Sequence, residues 1–173
     1  MNYFEFYDLT VQFKLDKKQL KRKFLQNSKK YHPDFHTMAS QQEQNKVLEL
    51  ASLNNEAYQT LSDDFKCLRY VLELKGLVGE GIKQNLPPRF LMEMMAINEQ
   101  IMELKFEPDP STKNEVNHKI LDMEKRMKIA IDPILGRYKE SASKQKDLNQ
   151  ILNFYLKNQY LKRLRENLKQ VRE

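Results

Sequence analysis

Apolar residues recur along this chain in steps of three and four, and nowhere do they alternate over the length of a strand, so the pattern predicts helices almost throughout. Residues 3–9 (YFEFYDL) read as a short apolar helix. Asp16 with Gln19 three positions later resembles a capping box and opens a second helix that runs to about Tyr31. Pro33 fixes its own φ and biases His32 away from the helical region, so HPDFHTMAS is expected as a loop. A third helix is expected over 41–60, and a fourth is capped by Ser62, runs to Leu74 and is closed by Gly76. The stretch 76–88 holds three of the 4 glycines and two prolines, and marks the best boundary in the chain. Beyond it come a helix over 89–106 closed by EPDPS, one from Ser111 that ends or kinks at Pro133, and one from Ser143 to the C-terminus.

Composition narrows the class of protein. The 173 residues suffice for one domain or two small ones, and 40% apolar against 31% charged residues describes a foldable, soluble chain. No apolar stretch approaches the roughly 18 residues of a membrane span, and Tyr3, Phe4 and Phe6 read as structure instead of a signal peptide. A single cysteine, Cys67, excludes an internal disulfide framework or a cysteine-rich zinc site and suits a reducing cytoplasm. Net charge +6 and a pI near 9.2 allow an acidic protein, nucleic acid or acidic lipid as partner without choosing among them. Glycine-rich RNA-binding, zinc-finger and helix-turn-helix patterns are missing, which leaves a nucleic-acid role resting on charge alone.

The second helix separates two faces. At about 100° per residue, Leu20, Phe24, Asn27 and Tyr31 fall within about 60° of one another and form the core stripe, interrupted by Asn27. Lys18, Arg22 and Lys29 lie about 180° away, with Lys17, Lys21, Lys23 and Lys30 on the flanks. No acidic residue occurs from Lys17 to Lys30, whereas solvated helices usually mix signs for i,i+4 pairing. The helix leads straight into His32-Pro33-Asp34, a rigid polar turn whose carboxylate is an acceptor for a partner's arginine.

A basic helix ending in Tyr-His-Pro-Asp, followed by a helix with Asn54, Ala57, Tyr58 and Leu61, resembles a J domain over residues 1–75. That likeness implies a four-helix module that stimulates ATP hydrolysis by DnaK-type chaperones. It implies His32, Pro33 and Asp34 as the activating residues and Lys18, Arg22 and Lys29 as the docking face. Phe35 departs from the lysine often found after the tripeptide. The opening Asn2-Tyr3-Phe4, the stretch from Tyr70 to Gly76 and the segment FLMEMMAINE together resemble the HscB-type J-proteins in their compact bacterial form. These are co-chaperones of iron–sulfur cluster assembly, which implies two partners: a DnaK- or HscA-type chaperone ATPase and an IscU-like cluster scaffold protein. The expected architecture is all-α, a J domain (1–75), a linker (76–88) and a C-terminal three-helix client-binding bundle (89–173).

The helix over 89–106 carries more apolar surface than one contact needs. Phe90, Met94, Ile97, Ile101 and Leu104 complete a core stripe, while Leu91, Met92, Met95 and Met102 form a second face with Glu99 among them. Either the second face is buried against another element, or it is an adaptable methionine surface for a partner. By resemblance Leu91, Met92, Met95 and Glu99 match client-binding positions, and Ala96 stands where some relatives carry an acidic residue. In the last helix Leu161, Leu164, Leu168 and Val171 form the core seam; Tyr160 sits about 100° off it, free to join the client face.

Other residues suggest sites that the pattern does not support. His32 and His36 have metal-binding spacing, but Pro33 breaks the helix between them, and no metal is expected. Cys67 beside Leu68 reads as core, and His118 has no partner in the sequence. Without a glycine-rich phosphate loop the chain is not expected to bind ATP. As the adaptor that the resemblance implies, it is not expected to be an enzyme or to need a cofactor. Two rivals to the resemblance are a basic helical nucleic-acid-binding protein and a J-protein serving another client in general folding.

Overall fold

The computed structural model describes residues 1–82, 85–138 and 145–171. Seven α-helices and one short 3-10 turn account for the regular structure among these residues: α1 Tyr3–Phe6, α2 Lys17–Lys30, the turn Pro33–His36, α3 Gln41–Ser62, α4 Asp64–Leu74, α5 Pro88–Phe106, α6 Pro110–Arg137 and α7 Gln145–Lys169. The all-α expectation holds, and the helices fall into two compact units, one spanning Met1–Val78 and taking in Tyr138, the other comprising α5, α6 and α7.

Local chemistry explains the helix ends, including those the pattern misplaced. Helix α1 opens with a reciprocal cap between Asn2 and Glu5 and stops at Phe6, earlier than expected, because Asp8 takes a left-handed φ of 49° that reverses the chain. Asp16 caps α2, its carboxylate accepting from the amides of Lys18 and Gln19. The segment expected as a plain loop contains a 3-10 turn, with the preset φ of Pro33 at its first position. Ser62 does not cap α4; it is the last residue of α3, and Asp63, in extended conformation, accepts from the amides of Phe65 and Lys66 instead. Gly76, at φ 66°, supplies the left-handed residue after α4.

Pro133 neither ends α6 nor removes it from helical geometry: the helix continues to Arg137. Proline deprives the Ile129 carbonyl of its donor, but Ile129 is 64% exposed, so water can serve that carbonyl. The expected start of α7 at Ser143 lies outside the described residues. Arg137 bonds Asp147 at 2.8 Å, and Arg165 bonds Glu124 at 3.0 Å, tying α6 to α7 at two levels.

The first unit is built on Phe4, Tyr7, Leu20, Ala57, Leu61, Leu68, Val71 and Leu72, all buried. One polar side chain joins them. Asn54 accepts from the Tyr7 hydroxyl at 2.8 Å and donates to the Phe24 carbonyl at 3.2 Å and the Ser28 hydroxyl at 3.0 Å. This pins α1 and α2 to α3 through bonds that an apolar contact could not direct. In the second unit, the stripe of α5 meets Val116 and Ile120 of α6 and Leu161, Leu164 and Leu168 of α7, with Val171 closing the end.

Cys67 is 1% exposed, and burial pushes its thiol from 9.0 up to about 12. Only the unfolded chain then gains a thiolate between those values, so this part of the stability is complete below about pH 9 and is lost as pH rises toward 12. Urea unfolding of a Cys67→Ala variant is therefore expected to lose a share of its alkaline pH dependence worth up to about 1.4 kcal/mol per pH unit. A native chain that reacts with a thiol reagent at neutral pH as fast as an unfolded one would contradict this.

Candidate functional site

The first candidate site is the turn after α2. His32 is extended (φ −73°, ψ 125°), and its Nδ1 accepts from the Asp34 amide at 3.3 Å. In the neutral imidazole that bond places the proton on Nε2, which is left to donate outward. The Phe35 amide donates to the His32 carbonyl at 3.1 Å, closing the turn. Asp34 Oδ2 stands 3.8 Å from His32 Nδ1, and the Asp34 side chain is 83% exposed. The tripeptide thus offers a donor and an acceptor from one solvent-facing turn closed by its own hydrogen bonds. Phe35, 68% exposed, sets its ring 5.6 Å from that of His32.

The cations of α2 are not equivalent. Lys17 folds across the surface to the Ser62 carbonyl at 2.8 Å and Asp64 at 2.6 Å. Lys23 reaches back to the carbonyls of Tyr7 at 2.6 Å and Asp8 at 3.2 Å, securing the end of α1. Lys30 lies 5.2 Å from the centre of the Tyr31 ring. Lys18, Lys21, Arg22 and Lys29 remain exposed around Leu25 and Gln26, and none is in an ion pair among the described residues. Helical angle separates Lys18, Arg22 and Lys29 from the core stripe, but it could not show which flanking lysines fold back. On the opposite face Leu20 is buried, Phe24 stacks on Tyr58 at 4.2 Å, and Asn27 and Tyr31 are half-buried.

The second candidate site lies on α5. Its core stripe is buried along its whole length, while Met92 and Met95 are 72% and 59% exposed. Glu99 is exposed beside them, and Leu91 is half-buried. The bundle therefore leaves the second face of α5 largely uncovered. Met102 and, most of all, Phe106 continue the exposed apolar row toward the end of the helix. Tyr160 is less free than the wheel suggests: it is half-buried edge-on against Phe90 at 6.2 Å, with Arg163 5.0 Å above its ring. Its contact is the residue preceding Leu91, which places the α7 aromatic beside that end of the α5 face.

His36 does not pair with His32. Its Nε2 lies 2.9 Å from the Lys30 carbonyl, and no cluster of three metal-binding side chains occurs among the described residues. No helix formed by those residues is long and apolar enough to cross a membrane.

Residues 86–169 match the family model described as the HSCB C-terminal oligomerisation domain. A co-chaperone HscB homolog of Vibrio parahaemolyticus is 31% identical over 152 residues, 86% of this chain and 89% of its own length. The chain belongs to the HscB family of co-chaperones. An HscB homolog of Vibrio cholerae is 37% identical over 111 residues, a stretch covering 64% of this chain and 65% of that relative. Among solved structures, the chaperone HscB from Vibrio cholerae superposes with a TM-score of 0.68 at 28% identity, covering 99% of this chain and 97% of that one. Human co-chaperone HscB shares the fold with a TM-score of 0.73 at 24% identity, over 98% of this chain and 81% of that one. The HscB resemblance read from the opening residues, the stretch from Tyr70 to Gly76 and FLMEMMAINE is thereby shown, as is a J domain followed by a helical C-terminal domain.

Proposed function

We propose that this chain is an adaptor that stimulates the ATPase of a DnaK- or HscA-type chaperone and delivers an iron–sulfur cluster scaffold protein to it in the cytoplasm. His32, Pro33 and Asp34 would engage the chaperone once Lys18, Arg22 and Lys29 have docked on its acidic surface. Leu91, Met92, Met95, Glu99 and Tyr160 would hold the scaffold, and the chain itself would carry out no reaction and need no cofactor. The observation that carries this reading is the exposed Asp34 carboxylate on a fixed turn, immediately beyond a helix whose outward cations Lys18, Lys21, Arg22 and Lys29 form no ion pair among the described residues. Tethering client and chaperone sites on one chain raises the concentration of each beside the other.

Reversing Arg22 and Lys29 to Glu tests the docking face. Association with the chaperone should slow by about tenfold at low salt and lose most of its salt dependence, because exposed charges act by steering over about a Debye length. Scaffold affinity should be unchanged. Loss of affinity for DNA with unaltered chaperone association would instead favour a nucleic-acid-binding protein. The matched family model is described by oligomerisation, so a second copy is the other occupant to test on α5. Sedimentation of the chain alone separates that case from a scaffold site.

A further inference from the structure

The segment joining α2 to α3 is held in shape by two side chains outside the activating tripeptide. His36 Nε2 lies 2.9 Å from the carbonyl of Lys30, the last residue of α2. A carbonyl can only accept, so Nε2 carries the hydrogen and donates it. In a continuing helix the Lys30 carbonyl would take the Asp34 amide, but that amide is turned to His32 Nδ1. His36 supplies the missing donor and so caps α2 from the far side of the turn. Across residues 32–38 His36 alone is half-buried, and its neighbours are exposed. At the other end, Gln44 Nε2 donates to the carbonyls of Thr37 at 3.1 Å and Ala39 at 3.0 Å. Gln44 is itself fixed in the first turn of α3, which the Ser40–Glu43 capping box secures.

We propose that His36 and Gln44 are positioning residues that clamp the turn, His36 to α2 and Gln44 to α3, so that His32 and Asp34 are presented in one orientation relative to the cations of α2. The inference rests on the co-chaperone reading of that turn. A docked complex with a loosened turn would still be bound through α2, but only a fraction of such complexes would present the tripeptide correctly. The clamp therefore acts on the maximal rate of stimulated hydrolysis, while the chain concentration giving half of it stays the same.

The test measures steady-state ATP hydrolysis by a purified DnaK-type chaperone against a concentration series of the full chain. The variants are His36→Leu, His36→Gln and Gln44→Met, with His32→Gln as reference, and amide hydrogen exchange is followed on each free chain. His36→Leu should lower maximal stimulation about fivefold, the weight of one hydrogen bond, with half-saturation unchanged. Exchange at the Phe35 and Ala39 amides, whose bonds close the turn, should rise by about the same factor. His36→Gln, which keeps a donor at similar reach, should restore stimulation to within about twofold of wild type. Gln44→Met should repeat the effect from the other end.

Wild-type stimulation and exchange in both His36→Leu and Gln44→Met would overturn the clamp. So would lost stimulation with unchanged exchange, because it would mean direct contact with the chaperone. If His32→Gln stimulates normally, the co-chaperone reading itself fails; exchange at Phe35 and Ala39 then decides the clamp alone, and no acceleration overturns it.

Discussion

Replacing Asp34 with Asn, or His32 with Gln, is expected to abolish stimulation of the chaperone's ATPase while stability stays within about 0.5 kcal/mol of wild type. The two halves of this expectation have separate causes. Stability is spared because both side chains face solvent, and their bonds lie within the turn instead of reaching the core. Stimulation is lost because asparagine keeps the shape of aspartate but removes the charge that makes a charge-assisted bond to a partner's arginine or lysine. Glutamine in place of His32 gives up the Nδ1 acceptor that holds the Asp34 amide. Circular dichroism melts together with steady-state ATPase assays check both halves. Normal stimulation by both variants would remove the functional content of the J-domain assignment.

Leu91, Met92 and Met95 changed together to Ala should destroy scaffold binding with little loss of fold. Met92 and Met95 are exposed, so each truncation should move stability by less than about 0.5 kcal/mol, and half-buried Leu91 should cost about 1 kcal/mol. Met94 on the same helix is the internal reference: it is 0% exposed, and Met94→Ala should cost about 2–5 kcal/mol through lost contacts and a cavity. For binding the order reverses, with one or two of the exposed residues costing more than about 2 kcal/mol of scaffold affinity. Glu99→Lys should weaken the complex in a salt-sensitive manner. Calorimetric titration with a purified scaffold protein reads the affinities. A triple variant that melts far below wild type yet binds normally when folded would sink the client reading.

Much of this molecule was legible because helical periodicity constrains where a side chain starts. The stripes through Leu20 and Phe24 and through Phe90, Met94 and Ile97 all face inward, as the wheel requires. Periodicity does not say where a long side chain ends. Lys17 and Lys23 occupy the flanks of a basic face, yet their four-carbon stems return the ammonium groups to the carbonyls of Ser62 and Tyr7. Helix ends shifted for the same kind of reason. The cap moved from Ser62 to Asp63 because the carboxylate accepts two amides there, while the Ser62 carbonyl is engaged by Lys17.

The tripeptide was readable as a motif on a rigid turn, but the side chains outside it that fix the turn to α2 and α3 were not. The bonds from His36 to Lys30 and from Gln44 to Thr37 exist only once the chain has reversed between α2 and α3. Met92 and Met95 could be placed on a second face from the sequence. Whether a neighbouring helix covered them depended on packing that no local pattern encodes.

If one chain brings a chaperone and its client together, ATP hydrolysis by the purified chaperone against chain concentration should differ with and without scaffold protein. The chain alone should stimulate hydrolysis. With scaffold present, the chain concentration needed for half of the effect should fall at least about tenfold, since two linked contacts then act together. The Leu91/Met92/Met95 triple Ala variant should keep the first response and lose the second. Identical curves with and without scaffold for the wild-type chain would mean that it does not link client to chaperone.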